Sequence, residues 1–194
     1  MKLGFDLDGV LIDNLPIKRD LVFKQKNLTL DLWMLNSNVI DTYITNTAFR
    51  REIDVKSALS SEHSITELCI GDVLSFLSQK LDLYLITARG KSQEGIDCAK
   101  ILIKKHRLDS FFGNNILLVK DKKEKVSRIN DLRLDYFIDD RKDILLDLPR
   151  SKRVLYDPFG LFKAEADSFY LLSTLNELKT QFNSFFAHQK TTNS

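Results

Sequence analysis

The sequence predicts an α/β fold: a mostly parallel sheet of five strands clad by helices, with a small helical insertion after the first strand. Three observations predict it. Short apolar runs of strand length recur at residues 3–7, 81–86, 115–119, 136–138 and 153–156. Between most of them lie stretches whose apolar residues return at three- and four-residue steps, over about 65–79, 92–105, 124–132 and 141–148. Such alternation marks strands buried on both faces and joined by right-handed crossover helices. The third observation is a break in that rhythm: residues 14–62 separate the first two strands by far more chain than one crossover needs.

Taken in order, the first strand ends in two carboxylates and a glycine, Phe5-Asp6-Leu7-Asp8-Gly9-Val10. The insertion follows. Ile17, Leu21 and Leu28, and then Val39, Ile40, Tyr43 and Ile44, sit at helical spacing, while the alternation Leu28, Leu30, Leu32 leaves a local strand open. The reading is therefore a core made of residues 1–13 and 63–188, a helical cap at 14–62, and a frayed polar tail at 189–194. There is no internal repeat or low-complexity tract.

Length and composition bound the function classes. A chain of 194 residues with 43% hydrophobic content fills one good core and one modest insertion, not two full domains. The 29 basic residues nearly balance the 27 acidic ones, so the net charge of +2 gives no bulk reason for a nucleic-acid or membrane partner. The basic stretches Lys104-Lys105-His106-Arg107 and 120–125 lack interleaved aromatics, which disfavours nucleic acid. Only Cys69 and Cys98 are present, in no metal-like or redox-like spacing, and a reducing, cytoplasmic compartment is expected. Carboxylates at Asp6 and Asp8 leave no room for a signal-peptide core, and no later stretch has the length of a membrane span. Oligomeric state is left open.

Four clusters carry chemistry. Asp6 and Asp8, two residues apart, start on one face at the carboxyl end of a parallel strand, where open α/β sheets bind ligands. One can serve as nucleophile and metal ligand while the other acts as general acid. In Leu85-Ile86-Thr87-Ala88-Arg89, the hydroxyl of Thr87 and backbone N–H groups nearby could hold a phosphate oxygen, although Thr87 reads equally as a strand-end cap. Lys125 stands early in a helix that precedes the fourth strand, where its ammonium can aim at a phosphate or a carboxylate; the alternative is a solvated basic face. In Phe137-Ile138-Asp139-Asp140-Arg141-Lys142-Asp143, adjacent acids after an apolar run suit a magnesium ion, and a helix N-cap at Asp140 is the competing reading.

In their order these clusters resemble the four motifs of the haloacid dehalogenase superfamily, in its phosphatase branch. The resemblance spans Asp6 to Asp143 and implies a Rossmannoid three-layer sandwich with sheet order 5-4-1-2-3. It implies Asp6 as nucleophile and Asp8 as acid and base, the second aspartate being what sets phosphatases apart from the dehalogenases proper. It further implies Thr87 and Ala88 as phosphate binders, Lys125 as the third motif with Lys122 as runner-up, and Asp140 and Asp143 as supporting acids. Mg2+ would be held by Asp6, the backbone carbonyl of Asp8, and Asp139. The helical cap, the run Ile138-Asp139-Asp140-Arg141 and the loop Asp157-Pro158-Phe159-Gly160 resemble, more distantly, the small 5′-nucleotidase group.

The expected activity is thus a magnesium-dependent phosphomonoester hydrolase acting through an aspartyl-phosphate on a small phosphorylated substrate, a nucleotide being favoured. Arg89 and Trp33 are the candidates for substrate specificity, and Asp8 is expected to have a raised pKa from its anionic neighbour. Alternatives are a ligand-sensing module of the same fold, a phosphatase acting on nucleic-acid ends or proteins, and a phosphoryl transferase.

Overall fold

The computed structural model describes residues 1–187. The expected tail therefore lies outside the described residues. Among the described residues eight strands form: β1 (Lys2–Phe5), β2 (Ile12–Asp13), β3 (Ser64–Ile65), β4 (Asp82–Thr87), β5 (Ile116–Leu118), β6 (Tyr136–Asp139), β7 (Arg153–Tyr156) and β8 (Tyr170–Leu172). The helices are α1 (Leu15–Lys26), α2 (Ile40–Tyr43), α3 (Thr47–Ala58), α4 (Ile70–Ser78), α5 (Gln93–Lys105), α6 (Asp109–Phe112), α7 (Lys122–Asp131), α8 (Lys142–Leu145), α9 (Glu177–Thr180) and α10 (Phe182–Ala187).

Six strands pair in parallel in the order β5-β4-β1-β6-β7-β8. The five expected strands keep their expected order within it. The correction is a sixth strand, β8, added outside β7; its three residues, Tyr-Leu-Leu, are too short a run to stand out from the loops around them. The helix expected from residue 65 begins only at Ile70, because Ile65 belongs to β3.

Side chains alternate across the sheet with period two and fill two separate cores. Phe5, Leu85, Ile138 and Val154 face one way, onto apolar residues of α4, α5 and α9. Ile86, Phe137 and Leu155 face the other, onto α7 and α8. Helix, sheet and helix make three layers. At α5 the side chain of Ser92 accepts from Gly95 N, and at α7 that of Asp121 accepts from Glu124 N, so each helix starts at a fixed residue.

Residues between β2 and β3 are helical and have a core of their own, built from Val22, Leu30, Leu35, Ile40, Ile44 and Ile53. This cap meets the sheet through a two-stranded antiparallel ribbon that pairs Ile12 with Ile65 and Asp13 with Ser64. The strand left open at 28–32 does not form: Leu30 drops into the cap core and Leu32–Leu35 is a short 3-10 turn. No helix among the described residues is long and apolar enough to cross a membrane.

Candidate active site

Three neighbouring parallel strands, β4, β1 and β6, end side by side, and their carboxyl ends form the floor of a cleft. Asp6 follows β1, and its backbone N–H donates to Ile138 O at 2.9 Å, so its carboxylate stands beside those of Asp139 and Asp140. The ligand oxygens of Asp6, Asp139 and Asp140 lie within 4.8 Å of one another, and all three residues are buried. Gly9 permits this approach. It has φ +75°, and a Cβ there would come within 2.5 Å of the Asp140 carboxyl, so a side chain at residue 9 would push the two loops apart.

Lys125, only 1% exposed, reaches in from the first turns of α7. Its Nζ lies 2.9 Å from Asp6 Oδ1 and 2.7 Å from Asp139 Oδ2. Lys122 lies outside this group and pairs with Asp147 Oδ2 at 2.9 Å. Asp139 Oδ1 accepts from Arg141 N at 2.9 Å, so both oxygens of Asp139 have donors. No hydrogen bond reaches the Asp140 carboxylate among the described residues, which makes it the freer acid of the pair.

Electrostatics follow from burial and crowding. Desolvation pushes Asp6 well above the usual carboxylate range, with Asp139, Asp8 and Asp140 adding to the shift and Lys125 opposing it. Desolvation also pushes Asp140 up to about 7, aided by the charge of Asp139. Burial alone would raise Asp8 too, but the Arg89 guanidinium outweighs it and leaves Asp8 below its ordinary value. Arg89 Nε and Nη2 grip the Asp8 carboxylate at 2.9 and 2.5 Å. The raised pKa expected for Asp8 is therefore corrected: the cation two residues beyond Thr87 bonds its carboxylate directly and lowers the pKa.

Above this floor lies a cleft of about 290 Å³. Asp6, Asp8, Thr87, Ala88, Arg89, Lys125, Asp140 and Arg141 all line it, so the structure brings together residues from all four clusters. Asp139 alone of the acid trio does not line it and lies fully buried behind Lys125. Asp143 stands apart from the acid trio; it is half exposed and pairs with Arg141 Nη2 at 2.8 Å. Trp33 does not line the cleft. Its ring packs edge-on against Tyr43, centroids 5.5 Å apart, so the expectation that it selects substrate gives way to a role in cap packing.

The opposite wall was not foreseen. Lys18 of α1 and Arg50 and Asp54 of α3 line it. Lys18 is 3% exposed, and its Nζ lies 3.2 Å from Asp54 Oδ1. Arg50 hydrogen-bonds the same Asp54 through Nη1 and forms an ion pair with Asp41, its Nε 3.0 Å from Asp41 Oδ1. A signal was present: Lys18 stands three residues after Leu15, three before Leu21 and four before Val22, so it interrupts an apolar stripe. The cap also holds the floor directly. Asn38 Nδ2 donates to Asp140 O at 2.6 Å, and Asn38 Oδ1 accepts from Lys142 N at 2.8 Å.

The donor set fits a hard divalent cation. It offers only carboxylate oxygens, buried and crowded enough to raise two of their pKa values, and such a cluster calls for a countercharge beyond Lys125.

No known protein-family profile and no curated protein matches the sequence. Solved structures do match. The haloacid dehalogenase-like hydrolase SP0104 from Streptococcus pneumoniae is 16% identical, with 93% of this chain and 97% of that chain covered at a TM-score of 0.58. A predicted phosphoglycolate phosphatase from Haemophilus somnus 129PT is 14% identical over 93% of this chain and 96% of that one, with a TM-score of 0.61. A HAD-hydrolase named YfnB from Bacillus subtilis, bound to magnesium, is 14% identical over 94% and 98%, with a TM-score of 0.56. At these identities the likeness is one of fold: this chain has the fold of haloacid dehalogenase-like hydrolases.

Proposed function

We propose that this chain is a phosphomonoester hydrolase that works through an aspartyl-phosphate on Asp6. The observation that carries the reading is the Asp6 carboxylate at the end of β1, 2.9 Å from the Lys125 ammonium, beside Asp140 and open to a cleft edged by Thr87 and Arg89. A phosphate entering there meets the Lys125 and Arg89 cations, with the Thr87 hydroxyl and the loop N–H groups at the strand ends as further donors. Asp6 attacks phosphorus in line, the P–O bond to the leaving group breaks, and Asp8 gives that oxygen its proton. Asp8 then takes a proton from water, whose oxygen attacks the aspartyl-phosphate and restores the Asp6 carboxylate. The resting pair between Asp8 and Arg89 fits this scheme: the arriving phosphoryl group competes for the guanidinium and, as a like charge, raises Asp8 toward its acid form.

Magnesium would sit on Asp6 and Asp140, with Asp139 held behind by Lys125 and Arg141 N rather than offered as a free ligand. When bound, it would neutralise charge on the phosphoryl oxygens. Asp143 then acts on the loop through Arg141 and does not touch the reacting atoms. The proline loop behind the resemblance to 5′-nucleotidases serves a structural purpose, since the Asp157 carboxylate accepts from Leu161 N and Phe162 N at 3.0 and 2.8 Å. A nucleotide leaving group thus has no separate support.

The test is phosphate release from an aryl phosphate with and without magnesium, beside Asp6→Asn. Magnesium-dependent release that drops by about 10⁴-fold or more in a folded variant is expected. Comparable release in Asp6→Asn overturns the nucleophile, and no release from any ester with metal bound leaves a ligand-sensing module.

A further inference from the structure

The phosphoryl chemistry of the floor does not account for the cap wall of the cleft. On that wall two cations, Lys18 and Arg50, form ion pairs with the one carboxylate of Asp54, and Lys18 also feels Asp140 and Asp8 of the floor across the cleft. Asp41, the other partner of Arg50, is 76% exposed, and its charge is largely screened by solvent. On the floor side Arg89 is 5% exposed and uses Nε and Nη2 on Asp8, while its Nη1 is a buried donor without a hydrogen-bond partner. Buried donors of this kind call for an acceptor, and cations held away from water are stabilised by an anion.

The cleft is small and lacks a stacking surface. Its volume of about 290 Å³, part of which the phosphoryl group must take, lies at the lower edge of small-molecule sites. None of the described residues lining it is aromatic, and its apolar side chains are limited to Val55, Ala58, Ala88 and Ile144. A nucleobase in such a site would forgo the stacking that usually holds it.

We infer that the leaving group is small and non-aromatic and carries a second oxyanion, which Lys18 and Arg50 of the cap recognise across the cleft from Asp6. The inference rests on the phosphatase reading above and names its substrate class: a short phosphorylated hydroxy acid or a short bisphosphate. Carboxylate and phosphate are two sources of the same oxyanion. Charge-assisted hydrogen bonds to two cations select either one over a neutral hydroxyl.

The test compares kcat/KM, with magnesium, for matched pairs that differ only in the second charge. One pair is 3-phosphoglycerate and glycerol 3-phosphate; the other is the bisphosphate and the monophosphate of propane-1,3-diol. A preference of about tenfold or more for the anionic member of at least one pair, and over AMP, is expected, and the pair with the larger ratio identifies the oxyanion. In Lys18→Met, and independently in Arg50→Met should the first variant fail to fold, that ratio falls to about one. Equal rates within both pairs, a preference for AMP, or a ratio untouched in both variants overturns the inference while leaving phosphatase activity intact. Should no ester be hydrolysed, the phosphatase reading fails, and the same pairs are compared by calorimetry. Tenfold tighter binding of an anionic member, lost in the variants, then sustains the oxyanion site, and equal binding overturns it.

Discussion

The floor of the cleft and its cap wall hold similar charges by different means. On the floor, Asp6, Asp139 and Asp140 are fixed by strand ends hydrogen-bonded to one another, and Lys125 is fixed by a capped helix in the crossover before β6. On the cap wall, Lys18, Arg50 and Asp54 come from two helices that join the sheet through a ribbon of two residue pairs. The floor is thus rigid and costly to disturb. The wall is attached at the ribbon and at Asn38, and its charges can differ without altering the sheet. The proposed chemistry falls on the first and the proposed substrate choice on the second.

Three substitutions sharpen this contrast. Lys125→Met leaves two buried carboxylates without their shared cation and should have the largest effect, about 3–5 kcal/mol of stability together with activity. Urea unfolding measures it, and a midpoint equal to that of the unmodified protein would contradict the account of the floor. Asp140→Asn should act in the opposite direction. Because its folded pKa is raised to about 7, Asp140 retains a proton that the unfolded chain has lost by about pH 4. Its contribution is present at acid pH and is lost as pH rises through 7, so the metal-free protein weakens over that window. The variant should exceed the unmodified protein by about 2 kcal/mol at pH 8 in the presence of chelator and differ less at pH 5, while losing its response to magnesium. A lower Tm for the variant at pH 8 would remove that explanation. The smallest effect belongs to the cap core. Trp33→Ala should cost about 1–2 kcal/mol and leave the ranking of substrates as it was. A reordered panel would return Trp33 to the substrate side.

Sequence legibility divides along the same line. Asp8, Thr87 and Asp139 stand immediately after apolar runs and Asp6 interrupts the end of the first, so assigning the strands also placed these residues at the carboxyl edge of the sheet. Lys125 and Lys122 could not be separated by pattern, since both lie early in α7; which one turns inward depends on where Asp121 caps the helix. The expected pKa of Asp8 missed because Arg89 is distant in sequence and becomes its partner only when β4 lies beside β1. Strand β8 was missed because three residues carry too little periodicity to read.

The sequence by itself determined the α/β layout, the position of the insertion and the order of the floor residues. Each of these depends on local pattern: period two in strands, three to four in helices, and polar residues where an apolar run stops. Tertiary structure alone decided which acid stays free, which lysine reaches Asp6, and that Lys18 and Arg50 face the floor across the cleft. Those outcomes depend on distances between segments far apart in the chain, and such distances are set only when strands pair and the cap docks.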